Sequence, residues 1–333
     1  MSGRRKILFI TLSALTLFLF CFDLTIGSVD LSVRDVVSSL IGQQSDASIS
    51  TIVVDIRLIK AAVALLGGAA LSVSGLQMQT LFRNPLAGPY VLGISSGASL
   101  GVALFILGAP LLGIRGIVAP IGMAGAAWVG SGLVLLLIAV VGRKIKDIMV
   151  VLILGMMFSS GVSAVVQILQ YLSNEESLKT FVIWTMGSLG DVTAPQLTVM
   201  AVAVIVGFIL AIATIKPLNL MLLGEEYARS LGVDMMRFRP KVLISTTLLA
   251  GTVTAFCGPI GFVGLAVPHV ARLVFSSADN RILLPGTLLI GASVLLFCDI
   301  ISKQLVLPIN AITSLLGIPV VVWIVMKNRS ITV

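Results

Sequence analysis

Long apolar stretches, separated by short polar connections, dominate the chain. Ten of them can be read as membrane-spanning helices, each of which needs about 20 largely apolar residues, or fewer if the helix is broken. They run over residues 7–27, 56–81, 90–108, 114–141, 148–171, 195–215, 240–257, 260–275, 283–303 and 308–326. A more polar segment, 179–191, predicts an extracytoplasmic or re-entrant helix. The pattern predicts an all-α polytopic membrane protein with ten transmembrane helices.

Composition excludes the soluble classes of protein. Hydrophobic residues make up 58% of the 333 residues and charged residues only 11%, whereas soluble domains average about 25% charged. The apolar stretches are continuous, which excludes an outer-membrane barrel built from strands of about 10 alternating residues. Cysteines at 21, 257 and 298 lie in apolar stretches without CxxC spacing, so we expect small buried side chains and neither a disulfide nor a metal site.

Basic residues are distributed unevenly between the predicted connections. When both termini are placed in the cytoplasm, most of the 22 basic residues lie on the cytoplasmic side, as the positive-inside rule expects. The outer side then holds Arg34, Arg57, Lys60, Arg115, Lys179 and Lys303. Topology therefore explains the net charge of +8, and no arginine-rich patch interleaved with aromatic residues indicates binding to nucleic acid.

Small residues recur every four positions in three of the predicted spans, which lets neighbouring helix backbones approach closely. These stripes are Ala64, Gly68 and Ser72; Gly93, Gly97 and Gly101; and Gly122, Ala126 and Gly130. The third and eighth spans are short and open with Gly and Pro, at 84–89 and 258–261. Broken helices at matching positions are typical of inverted repeats in transporters, so spans 2–5 and 7–10 are predicted to be two copies of one unit.

No source of energy for transport is visible in the chain. It contains no G-x-x-x-x-G-K-[ST] motif for ATP phosphates and no H-E-x-x-H motif. An ion-coupled secondary transporter would have to use Asp299 or His269, yet Asp299 can pair with Lys303 one turn later and His269 can be a hydrogen-bonded structural residue. Gly190-Asp191 has no second aspartate in a suitable motif, which disfavours an intramembrane enzyme. An external energy source is the remaining interpretation.

The longest cytoplasmic connection, 216–241, contains the segment L-G-E-E-Y-A-R-S-L-G-V from Leu223 to Val233. Glu225 and Arg229 have the i, i+4 spacing of a helical ion pair. An apolar stripe repeats at Leu223, Tyr227 and Leu231, and Gly232 is placed to end the helix. Taken alone, this is a short amphipathic helix whose stripe packs against the base of the bundle.

The same segment resembles the coupling-helix loop of FecCD/BtuC-type permeases, which are membrane subunits of type II ABC importers for iron-siderophore complexes, haem and vitamin B12. Further matching blocks extend the resemblance over the whole chain; they are Ile56-Arg57-Leu58, Asn84-Pro85-Leu86-Ala87, Leu92 to Ala98, Gly258 to Gly264, Val267-Pro268-His269 and Leu316-Gly317-Ile318-Pro319. The resemblance implies one ABC importer transmembrane domain over residues 1–333, in the bacterial cytoplasmic (inner) membrane, with both termini in the cytoplasm.

The family also implies a set of partners. A second copy of the permease completes a homodimer, two ABC ATPase subunits bind the ATP and Mg²⁺, and a substrate-binding protein docks on the extracytoplasmic side. The permease itself catalyses no reaction and holds no cofactor or metal, and membrane lipid surrounds it. The substrate among iron chelates, haem and cobalamin is left open.

Residue roles carried over from the family fall into three groups. ATPase coupling is implied for Leu223, Gly224, Glu225, Glu226, Ala228, Arg229, Leu231 and Gly232. Docking of the binding protein is implied for Arg57, Lys60 and Lys303, although this chain lacks the proline of the family's R-L-P-R motif, and snorkelling at a helix end is the alternative for Lys303. The inner gate is implied at Asn84, Pro85, Leu86, Ile148 and Met149. Ser95, Ser96 and Gly97 face the pathway in one interpretation and pack against a neighbouring helix in the other.

Overall fold

The computed structural model describes residues 3–43, 46–108, 120–142, 145 and 148–329, and within these ranges the chain is helical and contains no strand. The first half contains α1 (Gly3–Thr25), α2 (Val33–Leu40), α3 (Ala47–Thr51), α4 (Ile59–Leu81), α5 (Ile94–Ala103), α6 (Pro120–Gly142), α7 (Ile148–Leu172) and α8 (Glu175–Thr185). The second half contains α9 (Ala194–Ala213), α10 (Ile215–Met221), α11 (Glu225–Ser230), α12 (Met235–Thr246), α13 (Thr252–Cys257), α14 (Val263–Phe275), α15 (Asn280–Leu305) and α16 (Ile309–Arg329). π-Helical turns occupy Ile52–Leu58, Leu104–Gly108 and Thr247–Gly251.

Each of the ten predicted spans contains helical backbone, but the third and eighth begin with irregular residues, at 90–93 and 260–262. Residues 114–119 of the fourth lie outside the described residues. Five helical stretches are long and apolar enough to cross a membrane by length and composition; they are Gly3–Thr25, Met149–Leu172, Ala194–Ala213, Met235–Cys257 and Asn280–Leu305. The polar segment predicted at 179–191 contains α8 and ends as an irregular connection. Cys257 and Cys298 are buried as expected, whereas Cys21 is exposed, contrary to the prediction.

Close packing of small residues holds the bundle together, as the stripes predicted. A β-carbon at Gly97 in α5 would lie 2.6 Å from the carbonyl oxygen of Gly130 in α6. The α4 stripe meets α15 in the same way, because Gly68 lies against the backbone of Gly291 and the Ser72 hydroxyl donates to the carbonyl of Thr287 at 3.1 Å. Glycine at these positions is required by the close approach of the backbones.

The two short helices, α5 and α14, begin inside the bundle rather than at its ends. Gly93 precedes α5 with φ +78° and lies against Ser159, near the middle of α7. Phe262 precedes α14 with φ +64°. The irregular segment before α5 contacts the helices on both sides of the second irregular segment. The hydroxyls of Tyr90 and Thr254 of α13 are 3.2 Å apart, and a β-carbon at Gly264 of α14 would lie 2.7 Å from the Pro89 ring.

The bundle has two ends, which we name after the short helix at each. The α11 end holds the start of α1, the connections around α10 and α11, and the start of α15, where Asn219 donates to Asp279 at 2.6 Å. The α8 end holds the end of α1, helices α2, α3 and α8, and the end of α15. There the carbonyl of Cys257 accepts from the Ser188 backbone at 2.9 Å.

Candidate functional site

Backbone geometry fixes both termini of α11. Gly224, with φ +115°, brings the chain into the helix, and Gly232, with φ +88°, takes it out. The N–H of Gly232 donates to the carbonyl oxygen of Arg229 at 2.9 Å, and the N–H of Val233 donates to the carbonyl oxygen of Ala228 at 3.0 Å. This pair of bonds is a Schellman motif, in which a left-handed residue satisfies the last carbonyls of a helix. The predicted role of Gly232 as a helix terminator is confirmed.

The apolar stripe of α11 faces away from the bundle. Leu223 is 63% exposed, and Tyr227 and Leu231 are each 52% exposed, whereas Ala228 on the opposite side is buried. The interpretation that the stripe packs against the base of the bundle is therefore wrong, because Ala228 makes that contact instead. The described chain thus presents three large apolar side chains side by side at the α11 end.

Glu225 ties α11 to the start of α12. One of its carboxylate oxygens accepts from the Arg229 guanidinium at 2.6 Å, and both oxygens accept from Arg239 Nη2, at 2.7 and 2.8 Å. Bonds between two charged groups are stronger than neutral ones. Neighbouring Glu226 is exposed, so the two adjacent acids differ: Glu225 is engaged within the chain and Glu226 faces outward.

A buried cluster of four charges lies at the α8 end, where docking residues were expected. Lys303 Nζ lies 2.8 Å from Asp23 and 2.9 Å from Asp299, and Lys60 Nζ lies 3.2 Å from Asp299. The Lys303 side chain is only 7% exposed and both carboxylates are fully buried. The expectation that Lys303 lies at the outer surface is therefore wrong, and so is snorkelling as its alternative. The predicted pairing of Asp299 with Lys303 is confirmed.

Arg57 is also buried, and it caps the end of α1. Its guanidinium donates to the carbonyl oxygens of Leu24 at 3.0 Å, Thr25 at 2.9 Å and Val29. The last carbonyls of a helix have no partner within the helix, and Arg57 supplies one from a residue far along the chain. The expectation of an exposed docking residue at 57 is wrong for this reason. Of the three expected docking residues, Lys60 keeps the most exposure.

The expected gate segment is held by hydrogen bonds at the start of the irregular chain before α5. Asn84 accepts from the Leu86 N–H at 2.9 Å, and Leu86 is exposed. His269 Nε2 donates to the carbonyl of Pro85 at 2.7 Å, so the prediction of a hydrogen-bonded structural histidine is confirmed. Met149, at the start of α7, is exposed, and the side chain of Ile148 lies outside the described residues.

A polar cavity of about 260 Å³ lies between α5, α7 and α8. Its lining consists of Ser95, Ser96, Ser99, Ser163, Val166, Gln167, Gln170, Phe181 and Thr185. Ser95 and Ser96 face this cavity, and their place on the pathway stays a prediction, whereas Gly97 faces α6 and is a packing residue. Ser163, Gln167 and Gln170 follow the i, i+4, i+7 spacing of one helix face, so the sequence contained a signal for them that we did not use.

One buried acid was also missed in the sequence. Asp23 is a single carboxylate within the first apolar stretch, and a lone charge in such a stretch is expected to pair inside the bundle. Neither Asp299 nor His269, the residues considered for ion coupling, lines the polar cavity. Within the described part of the chain, no group of three or more His, Cys, Asp or Glu side chains could hold a metal ion.

A family model described as the FecCD transport family matches residues 15–327. The chain belongs to this family. Among the relatives of this FecCD protein, the hemin transport system permease protein HmuU of Yersinia pestis is 36% identical over 312 residues, which cover 91% of this chain and 90% of HmuU. The vitamin B12 import system permease protein BtuC of Klebsiella pneumoniae is 36% identical over 278 residues and covers 82% of each chain.

Other matches to the FecCD protein agree with these two. An iron chelatin transport system permease protein of Helicobacter pylori is 33% identical over 289 residues, which cover 86% of this chain and 85% of the relative. A solved structure of a metal-chelate type ABC transporter in an inward-facing conformation superposes with a TM-score of 0.84 at 31% identity, covering 97% of this chain and 99% of that one. The family is one of transport permeases, which agrees with the interpretation from the sequence.

Proposed function

We infer that this FecCD-family protein is the membrane-spanning permease of an ATP-driven importer that moves an iron chelate, haem or cobalamin into the cytoplasm. The observation that carries the proposal is the exposed apolar stripe of α11, which Glu225 anchors to α12. An exposed apolar patch on an otherwise well-packed protein indicates an interaction site. The relatives named for hemin, vitamin B12 and iron chelatin support the range of substrates.

The proposed assembly has two copies of this chain, each crossing the bacterial inner membrane ten times as two inverted repeats, with both termini in the cytoplasm. Two ATPase subunits bind ATP and Mg²⁺ and receive α11 of each copy, with Glu226 at the rim of the contact. A substrate-binding protein docks at the α8 end. The chain itself performs no bond chemistry and needs no cofactor.

Coupling follows a chain of contacts from α11 to the polar cavity. A displacement of α11 is transmitted through Glu225 to Arg239 and hence to α12. Beyond the π-helical turn, Thr252 at the start of α13 accepts from the Trp128 indole of α6 at 3.3 Å. Helix α6 packs tightly against α5, whose serines line the cavity. Motion at one end can therefore change the shape of a cavity in the other half of the bundle.

A pair of tyrosines tests the coupling surface. Tyr227 and Tyr171 are both exposed, 52% and 89% respectively, but they lie at opposite ends of the bundle. We expect Tyr227→Ser combined with Leu231→Ser to reduce co-purification with the partner ATPase and ATP-dependent uptake in proteoliposomes, because the apolar contact is lost. Tyr171→Ser is the matched control and should retain the ATPase.

Two outcomes would contradict the proposal. If the Tyr227 and Leu231 variant keeps both ATPase association and uptake, α11 is not the coupling helix. If uptake survives ATP depletion but collapses with an uncoupler, the energy source is an ion gradient, and the ion-coupled interpretation involving Asp299 or His269 replaces the ABC importer.

A further inference from the structure

A second cavity, of about 750 Å³, lies at the α11 end between α1 and α15, outside the sites described above. Its lining residues are Arg5, Lys6, Phe9, Ile10, Asp279, Arg281, Ile282 and Pro285. The lining has two parts: three basic side chains form a rim, and apolar side chains form the walls below. A volume of this size is within the range that binds small molecules in proteins.

The charge of the rim is positive. Arg5, Lys6 and Arg281 face only one carboxylate, Asp279, which already accepts from the Arg281 N–H at 2.9 Å and from Asn219 at 2.6 Å. The bond from the Arg281 N–H, together with the one from Asn219, holds the pKa of Asp279 below its ordinary value of 3.8. The carboxylate is therefore ionised at neutral pH and offsets part of the positive charge of Arg5 and Arg281, but with three cations against one carboxylate the rim keeps a net positive charge that can attract an anion.

The walls of the cavity continue into the apolar outer face of α1. Ile10 is 70% exposed and Ile7, one turn before it, is 65% exposed. Phe9, which also lines the cavity, packs against Phe275 of α14, with ring centroids 4.8 Å apart. This contact holds the inner wall of the cavity against the bundle. Apolar walls add nothing to the binding of a soluble anion, whereas the acyl chain of a lipid can pack against them.

We propose that this cavity is a binding site for an anionic glycerophospholipid of the inner leaflet. The phosphate lies among Arg5, Lys6 and Arg281, and an acyl chain lies along Phe9, Ile10 and Ile282. Basic pockets between transmembrane helices on the cytoplasmic side are suited to anionic head groups. A bound lipid would join the first helix of the chain to α15, and this site is independent of the coupling surface and of the polar cavity.

The test is binding of phosphatidylglycerol to the purified full-length protein in detergent, measured by native mass spectrometry and by thermal stability, with phosphatidylcholine for comparison. The triple variant Arg5→Gln, Lys6→Gln, Arg281→Gln should bind phosphatidylglycerol at least about tenfold more weakly, since each basic residue near a membrane surface contributes to anionic-lipid binding. Arg237→Gln, which changes an exposed arginine outside this cavity, should bind as the wild type does.

A second pair of measurements separates a lipid from a soluble anion. Ile10→Ser changes only the exposed wall, so it should weaken phosphatidylglycerol binding without unfolding the protein, and inorganic phosphate should not compete. Equal phosphatidylglycerol binding by the triple variant and the wild type would overturn the site. Effective competition by inorganic phosphate, with no effect of Ile10→Ser, would assign the cavity to a soluble anion and overturn the lipid.

Discussion

Two charge clusters, one at each end of the bundle, are built from similar groups and differ in their surroundings. At the α11 end, Glu225 is shared between Arg229 and Arg239, and Arg229 remains half exposed. At the α8 end, Asp299 is shared between Lys60 and Lys303, and its carboxylate is buried. The first cluster positions an exposed helix, whereas the second joins α1, α4 and α15 inside the protein.

The comparison teaches that basic residues near a helix end do not by themselves indicate a docking surface. Exposed ion pairs contribute little to stability because water screens them. A buried pair can be neutral in net energy, yet it is costly to break, because the remaining charge is left without compensation. An interaction site is better recognised by what the charged residues hold in place, and Glu225 of the α11 cluster holds a helix that carries the exposed side chains of Tyr227 and Leu231.

Removal of the shared acid at the α8 end is expected to have the largest effect on stability. Asp299→Ala leaves Lys60 and Lys303 without their common partner, and breaking a buried pair in this way costs about 3–5 kcal/mol. Thermal unfolding in detergent should show a large decrease in the transition temperature. The triple variant Asp23→Leu, Asp299→Leu, Lys303→Leu should recover part of the loss, since it removes all three buried charges and leaves only the partly exposed Lys60 without a partner.

The control for this prediction is Asp234→Asn. Asp234 forms an exposed pair with Arg237 at 3.2 Å, and its loss should cost less than about 1 kcal/mol. If Asp299→Ala and Asp234→Asn lower the transition temperature equally, the α8 cluster does not differ from a surface pair and the comparison fails.

Patterns within single helices allowed much of the structure to be predicted. The helical segments, the small-residue stripe that contains Gly97 and the termination of α11 at Gly232 all depend on residues close in sequence. The apolar stripe of α11 was also predicted, but the direction that it faces was not. Spacing in sequence shows which side chains share a helix face, and it does not show whether the face of Leu223 or the face of Ala228 packs against the bundle.

The α8 cluster could not be predicted from the sequence because its partners come from distant helices. Arg57 caps a helix that ends more than 30 residues earlier, and Lys303 meets Asp23 across nearly the whole chain. Spacing in sequence carries no information about such pairs. The polar cavity was predicted only in part, since Ser95 and Ser96 lie in a recognisable block and the glutamines of α7 do not.

Arg57 provides a prediction of intermediate size. Arg57→Gln leaves carbonyl oxygens at the end of α1 without a donor, and buried polar groups left in this way cost about 1–3 kcal/mol. We expect a lower transition temperature and lower expression, whereas binding of the substrate-binding protein by the remaining folded fraction should keep its salt dependence. If Arg57→Gln keeps normal stability but docks the substrate-binding protein more weakly and with less dependence on salt, Arg57 is an exposed docking residue and not the cap of α1.

Glu225 is expected to give the smallest effect on stability and a clear effect on transport. Glu225→Gln weakens partly exposed bonds, so it should lower stability by only about 0.2–1 kcal/mol. Because α11 then loses its fixed link to α12, uptake per ATP hydrolysed should fall while the ATPase still co-purifies.

Glu226→Gln is the matched control, since it makes the same change in charge one residue away. It should leave the link to α12 intact and act on ATPase association instead of on coupling. Identical behaviour of the two variants, in association and in uptake, would remove the distinction between an acid that positions α11 and an acid that faces the partner.

The hydrogen bond from Ser245 of α12 to Gln77 of α4, at 3.0 Å within the bundle, gives α12 a fixed point about which it would turn, like a lever, in the proposed coupling. About 9 Å of helix separates Arg239 from this pivot at 1.5 Å per residue, and about 10 Å separates the pivot from Thr252. Because the two arms are nearly equal, a push on Arg239 in one direction would move Thr252 by a similar distance in the other. The π-helical turn between the pivot and Thr252 is the place where such a stroke would be shortened by bending.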